Sequence, residues 1–429
     1  MNKKHNPAVI TTVVVAAALA TAAFAAGCIS SRVDTRTSHT FDRMQLSDVF
    51  YAEGAGIGDL NRDGVADVVA GPYWYEGPDY EARHEIYAPE PFDPLEYSES
   101  FIVDIHDIDS DGWDDILVVG FPGEEAYWYA NPQGADEHWD RHLAFAAVDN
   151  ESPYLGDLTG DGRPEIVFHS KGVVGYAEYD EARPTEPWTF HGISEQGEWG
   201  QFTHGFGVSD LSGDGHPDLL MSAGWWENPG EAGDGGLWRH HPADFGDRGA
   251  QIYAYDVDGD GLNDVISSLD AHGWGVAWFK QSRSGDEMRF DRHLIIGERT
   301  EDNPYGVRFS QPHAVALADI DRDGRMDIVT GKRWWAHGPE GDAEPNAPAV
   351  LYWFQLVRSG DGEVSFVPHL IDDDSGIGVF VAVDDLTDDG YPDIVISNKK
   401  GTFVFHQQVS EVTPSEWEAT QPRLISDAN

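Results

Sequence analysis

The sequence predicts an all-β ring of seven four-stranded blades, a seven-bladed β-propeller. Three observations carry this expectation. A nine-residue acidic pattern, Asp-x-(Asp/Asn/Ser/Thr)-x-Asp-Gly-x-x-(Asp/Glu), occurs seven times, beginning at Asp59, Asp107, Asp157, Asp210, Asp256, Asp319 and Asp385. Each copy sits within the same grammar of short strands and turns, about fifty residues per unit. No long stretch shows helical periodicity. Repeats of this kind stack to bury one continuous core, so a chain of 429 residues forms one large domain.

The elements follow in order. Residues 1–27 read as a signal peptide, with Lys3 and Lys4 ahead of an Ala- and Val-rich run from Ala8 to Ala26. That run ends in Ala25-Ala26-Gly27-Cys28, which resembles the bacterial lipobox, with Ala25 in place of the usual Leu. Cys28, the sole cysteine, is then the expected lipidation site. Cleavage after Ala25 and an uncleaved membrane helix are the alternatives. Residues 28–40 read as a lipid-anchored tether, 41–409 as the propeller and 410–429 as a C-terminal tail. Localisation is expected at the bacterial cell envelope, with membrane contact only through the anchor. One cysteine leaves no intramolecular disulfide and no Cys-based zinc site.

Within a blade, a small or apolar strand such as Ala314–Ala318 enters the acidic loop, and a second such as Asp115–Val119 leaves it. The third strand is aromatic (Tyr127-Trp128-Tyr129, Tyr352-Trp353-Phe354). The fourth often carries His (His84, His142, His191, His241, His293, His369), and these histidines follow the repeat and read as structural. The seventh unit lacks a fourth strand. Phe41-Asp42-Arg43-Met44 parallels Phe290-Asp291-Arg292-His293, so the N-terminal strand is expected to complete that blade and remove an open edge.

The acidic loops alternate inward-pointing oxygens, which suits calcium, and the glycine at position six allows the sharp turn. The expected ligands are Asp59, Asn61, Asp63 and Asp67 in the first loop, and Asp107, Asp109, Asp111 and Asp115 in the second. Asp157, Asp161 and Glu165 serve the third, and Asp210, Asp214 and Asp218 the fourth. The fifth has Asp256, Asp258, Asp260 and Asp264; the sixth has Asp319, Asp321, Asp323 and Asp327; the seventh has Asp385, Asp389 and Asp393. Where Thr159, Ser212 or Thr387 stands at position three, a metal-free acidic turn fits equally well. The formal net charge of −50 rules strongly against nucleic acid and favours cationic partners.

These repeats resemble the FG-GAP/VCBS type, the family of the integrin α-chain N-terminal propeller, over roughly Phe41 to His406. The resemblance implies the propeller and its calcium loops, but no activity, since propellers host many.

Departures from the repeat mark candidate chemistry. Six residues before each loop stand Glu53, Phe101, Glu151, His204, Ala250, His313 and Val379. Glu53, Glu151, His204 and His313 are ligand types for zinc or another divalent transition metal at the axial mouth, opposite the loops. The plainer alternative is that each packs into a separate blade interface. The turns after the second strands add Trp74, His169, Lys171, Trp226, His272, Lys332, Arg333, Trp335 and Lys399. Aromatic faces beside cations suit a carbohydrate or sugar acid, with Trp74, Trp226, Lys332, Arg333, Trp335 and Lys399 as contacts; taken alone, the tryptophans are better read as filling space between blades, whereas the cations point to an anionic partner. The segment Tyr305–His313 through Lys332-Arg333-Trp334-Trp335 resembles envelope propellers similar to the propeller domain of aldos-2-ulose dehydratases. That resemblance implies a metal-assisted elimination on a keto-sugar, with His169 or Lys171 as proton-transfer residues. A non-catalytic surface module binding glycan or protein is the alternative; convergence of the four mouth residues discriminates the two.

Overall fold

The computed structural model describes residues 34–230, 236–285, 287–360 and 362–428. The signal segment and Cys28 therefore lie outside the described residues. Seven antiparallel four-stranded sheets are present, and six follow simple chain order. The seventh has the N-terminal strand Arg36–Ser47 hydrogen-bonded to the last strand, Gly401–Val412. In that pairing Arg43 faces Phe405 and Phe41 faces Gln407. Arg292 faces Phe279 and Phe290 faces Gln281 in blade 5, so the two strands hold the same register.

The strands at this seam are longer than the sequence suggested. Pairing starts at Arg36, inside the expected tether, and runs to Val412, beyond the expected boundary at 409. The tail also forms a helix, Pro414–Thr420, whose N-cap Thr413 exchanges hydrogen bonds with Glu416. This helix packs on the N-terminal strand. No helix among the described residues is long and apolar enough to cross a membrane.

First strands of neighbouring blades touch one another around the axis, and Gly56–Gly58 of blade 1 meets Val381–Asp384 of blade 7. The core lies between blades. Val69 and Trp74 of blade 1, for example, pack with Val103, Ile116 and Tyr127 of blade 2. The third-strand aromatics are buried, with Trp128, Trp225 and Trp353 at 0–3% exposure. The fourth-strand histidines cover them from the paired position: ring centroids are 4.1 Å apart for Trp74–His84, 4.2 Å for Trp225–His241 and 4.3 Å for Trp353–His369. This arrangement explains why those histidines recur.

The acidic loops join first to second strands. Their sixth-position glycines, Gly64 to Gly390, all have φ between +84° and +92°, where a side chain is strained. The ninth-position acids, expected as calcium ligands, are buried and first of all bind backbone. Each accepts the N–H of the apolar second residue, from Leu60 N to Asp67 at 2.9 Å through Leu386 N to Asp393 at 3.0 Å. In six loops the other oxygen accepts an amide in or just after the third strand, such as Gln281 N to Asp264 and Leu356 N to Asp327. The ninth acid thus ties the loop to the blade, which follows from the need to pair buried backbone donors.

Candidate metal centre at the axial mouth

The first strand of each blade ends at its acidic loop, so residues six positions earlier lie at the opposite rim, around the axis. Glu151 stands in the first strand of blade 3 (Asp149–Gly156). His204 and His313 precede the first strands of blades 4 (Phe206–Ser209) and 6 (Val315–Ala318). Blade 5 has Ala250 at that position and instead supplies His272, from the turn between Asp264–Ser268 and Val276–Ser284. One ligand atom from each of Glu151, His204, His272 and His313 lies within 4.8 Å of the others, and all four residues are buried.

The separations within the group are 3.2 Å from Glu151 Oε2 to both His204 Nε2 and His313 Nε2, and 2.9 Å between the Nε2 atoms of His204 and His272. Ligands about 2.0–2.1 Å from zinc lie about 2.9 Å apart at octahedral angles and about 3.3 Å apart at tetrahedral ones. These three spacings fall in that interval, and the other three pairs lie within 4.8 Å.

Proton placement points the same way. His204 Nδ1 donates to the Phe202 carbonyl at 2.8 Å, so the neutral ring presents a lone pair at Nε2. Arg333 Nη1 lies 3.0 Å from His313 Nε2, and a guanidinium only donates, so that nitrogen also carries a lone pair. Neither Nε2 therefore carries a proton to offer the Glu151 oxygen 3.2 Å away, and a cation between them would relieve that contact. Burial, and after it the Arg333 charge, hold His313 well below the usual imidazole range. Burial likewise lowers His272. Neutral imidazole is the state a metal requires of a histidine ligand.

Asp342 backs this group from the connection 332–350 of blade 6. Its carboxylate lies 3.5 Å from His272 Nδ1 and accepts from His337 Nδ1 at 2.8 Å. His272 Nδ1 has no hydrogen-bond partner at that distance, so Asp342 acts on this ring through its charge. His337 is half-exposed and lines a cavity of about 340 Å³, whose floor includes Glu151, His204, His272 and Arg333. Tyr97, Phe101, Phe121, Phe202 and Arg248 complete the lining.

Glu53 does not join the metal group. Its Oε1 accepts from Arg333 Nη2 at 2.7 Å, and that buried ion pair stands beside His313. His169 and Lys171 lie outside the cavity lining. His169 is wholly buried with neither ring nitrogen hydrogen-bonded, and burial lowers it to about 4. Lys171 is exposed at φ +52°. Trp74 packs under His84, and Trp226 packs with His240 and Trp199; both fill blade interfaces. Trp335 stacks on Trp334 at 3.9 Å and donates to Asn346. Lys332 is wholly buried and donates to Ser310 Oγ at 3.0 Å. Lys399 Nζ is buried beneath the Tyr97 ring, 4.5 Å from its centroid. Burial lowers both lysines to about 8. Of the six expected contacts, only Arg333 lines the cavity.

Sequence comparison missed His272 as a ligand because blade 5 supplies it from a turn, not from the equivalent first-strand position. His337 and Asp342 sit in a connection with no counterpart in the other blades; the group His337-x4-Asp342 beside Trp334-Trp335 was the available signal.

Fold and site together define a seven-bladed β-propeller with a buried His/Glu cluster at the mouth opposite its acidic loops. An FG-GAP-like repeat family matches residues 107–168 and 256–330. No curated protein sequence matches. Among solved structures, an Agrocybe aegerita lectin described as recognising non-reducing terminal N-acetylglucosamine is 16% identical over 87% of this chain and 86% of its own, with a TM-score of 0.46. An auxiliary nutrient-binding protein from Bacteroides ovatus is 9% identical over 68% of this chain and 66% of its own, with a TM-score of 0.42. The Photorhabdus luminescens Tc holotoxin pore is 16% identical over 82% of this chain but 16% of its own, with a TM-score of 0.35. Likeness at this level says nothing about what the site binds.

Proposed function

We propose that this protein is a metal-dependent carbohydrate-active enzyme of the cell envelope, a carbon–oxygen lyase that dehydrates a keto-sugar. The observation that carries the reading is the convergence of Glu151, His204, His272 and His313 on the floor of an aromatic-lined cavity. A structural role for these residues would not require three imidazoles and a carboxylate to bring one ligand atom each within 4.8 Å of one another. The four would hold zinc or another divalent transition metal, which supplies Lewis-acid polarisation of a carbonyl.

The chain's own residues provide the rest. Asp342 holds the Nδ1–H of His337, which leaves Nε2 to take a proton from the carbon next to the carbonyl. The electron pair of that C–H bond forms the new C=C bond as the β-hydroxyl leaves, and this hydroxyl takes a proton to depart as water. Tyr97, Phe101, Phe121 and Phe202 offer apolar faces for the sugar ring. His337 replaces His169 and Lys171 in this account.

Calcium in the acidic loops and a lipid anchor at Cys28 belong to the same proposal. The first is supported by convergent carboxylates in the groups Asp107/Asp109/Asp115, Asp157/Asp161/Glu165 and Asp256/Asp258/Asp260. The second is supported by the placement of the sole cysteine at the end of the apolar run.

Metal analysis of purified protein beside the His204→Ala/His313→Ala double variant tests the centre. Appearance of the conjugated enone from a keto-sugar tests the reaction. The parent should carry a transition metal and form the enone, and His337→Gln should keep the metal and lose the reaction. Equal metal content in the parent and the double variant would overturn the reading.

A further inference from the structure

Arg333 occupies an unusual place for a buried cation. It is 2% exposed, and Glu53 holds one edge of its guanidinium, with Nη2 to Oε1 at 2.7 Å. The other edge, through Nη1, donates to His313 Nε2 at 3.0 Å. An imidazole nitrogen has one lone pair. The nitrogen that Arg333 caps is the same one that faces Glu151. His313 Nε2 can therefore receive the guanidinium or a metal, but not both.

Arg333 also lines the cavity, whose walls are largely aromatic. The rest of its surroundings keep it in place when the Nη1 bond is given up. Glu53 is 1% exposed and fixes Nη2, and the Arg333 N–H donates to the Gln311 carbonyl at 3.0 Å. A guanidinium held along one edge presents its remaining N–H groups in a fixed fork, a geometry that matches a carboxylate.

We propose that Arg333 is a metal-gated carboxylate contact, so that the ligand of the cavity is an acidic sugar that binds after the metal. Metal bound through His313 Nε2 releases the Nη1 edge, and that edge then takes the ligand's carboxylate while Glu53 keeps the guanidinium oriented. This rests on the metal centre proposed above.

The test uses zinc alone, then glucuronate with glucose as its neutral counterpart, measured by calorimetry on the full chain. The variants are Arg333→Met and the charge-balanced Glu53→Gln/Arg333→Met, which leaves no unpaired buried carboxylate if the single variant fails to fold. Zinc should bind either folded variant about tenfold more tightly than the parent, because a competing charge-assisted hydrogen bond is gone. Glucuronate should bind the zinc-loaded parent, and should bind neither the chelated parent nor the zinc-loaded variants. Glucose should bind more weakly than glucuronate to the parent. A parent that takes up no zinc overturns the metal centre and this inference together. Zinc uptake by the parent with unchanged or weaker affinity in the double variant overturns the gating alone. Glucuronate binding that survives chelation or loss of Arg333, or that glucose equals, overturns the carboxylate contact.

Discussion

Glu151→Gln is the sharpest single perturbation of the centre. The side chain keeps its volume and one carbonyl oxygen, so packing is preserved while the one anion among four ligands is lost. Its Oε2 lies 3.2 Å from two imidazole nitrogens, so the substitution acts on both contacts at once. Changes to residues that merely orient a metal ligand cost about 10–100-fold in affinity, and loss of the only anionic ligand should cost at least the upper end. A 100-fold loss is about 2.7 kcal/mol. Competition against a chromophoric chelator at fixed pH and salt reads the affinity directly. Thermal melting reads it a second way: zinc at about 100 times the parent's Kd adds about 2.7 kcal/mol to the parent, whereas a variant bound 100-fold more weakly gains about 0.4 kcal/mol. A variant whose zinc affinity stays within about threefold of the parent would refute the assignment of Glu151 as a ligand, whatever its activity.

Three further outcomes are expected. Calcium should raise the melting midpoint over that in chelator, most through the Asp107/Asp109/Asp115 loop, since Lys280, Arg163 and Arg325 already pair with Asp258, Asp161 and Asp323 in three others; an unchanged midpoint would make the loops metal-free turns. Cys28→Ala should release the protein from envelope membranes, and a variant that still pellets with them would contradict lipidation at that residue. Burial lowers His169 and His369 to about 4, below the value of about 6.5 in an unfolded chain, so the unfolded state binds more protons between those pH values. Their contribution to stability is therefore complete above pH 6.5 and lost as pH falls toward 4, and His369→Phe, which preserves a ring over Trp353, should flatten that slope by up to about 1.4 kcal/mol per pH unit; an unchanged slope would show that His369 does not titrate this way.

The fold was legible because its signals are local and recur seven times. The Asp-x-x-x-Asp-Gly spacing needs only a positive-φ glycine and a carboxylate that reaches amides a few residues away, and every blade meets that need from its own sequence. The histidines opposite the third-strand aromatics were readable as structural for the same reason. The site was half legible. Comparing equivalent positions isolated Glu151, His204 and His313 because Phe101, Ala250 and Val379 show what the repeat places there when no ligand is needed. That logic has no purchase on His272, which reaches the group from a turn, or on Asp342 and His337 in the connection 332–350. It also misread Glu53, since nothing local announces a partner 280 positions away in Arg333. Lys332 and Lys399 were misread as ligand contacts because composition does not reveal depth: Lys332 is wholly buried and Lys399 is 5% exposed.

Anomalous diffraction from crystals of zinc-loaded protein, collected on both sides of the zinc edge, tests the central claim most directly. The account predicts one strong zinc peak at the mouth opposite the acidic loops, within about 2.0–2.2 Å of Glu151 and of the Nε2 atoms of His204, His272 and His313. Zinc found only at the acidic loops, or no peak between these four side chains, would contradict it.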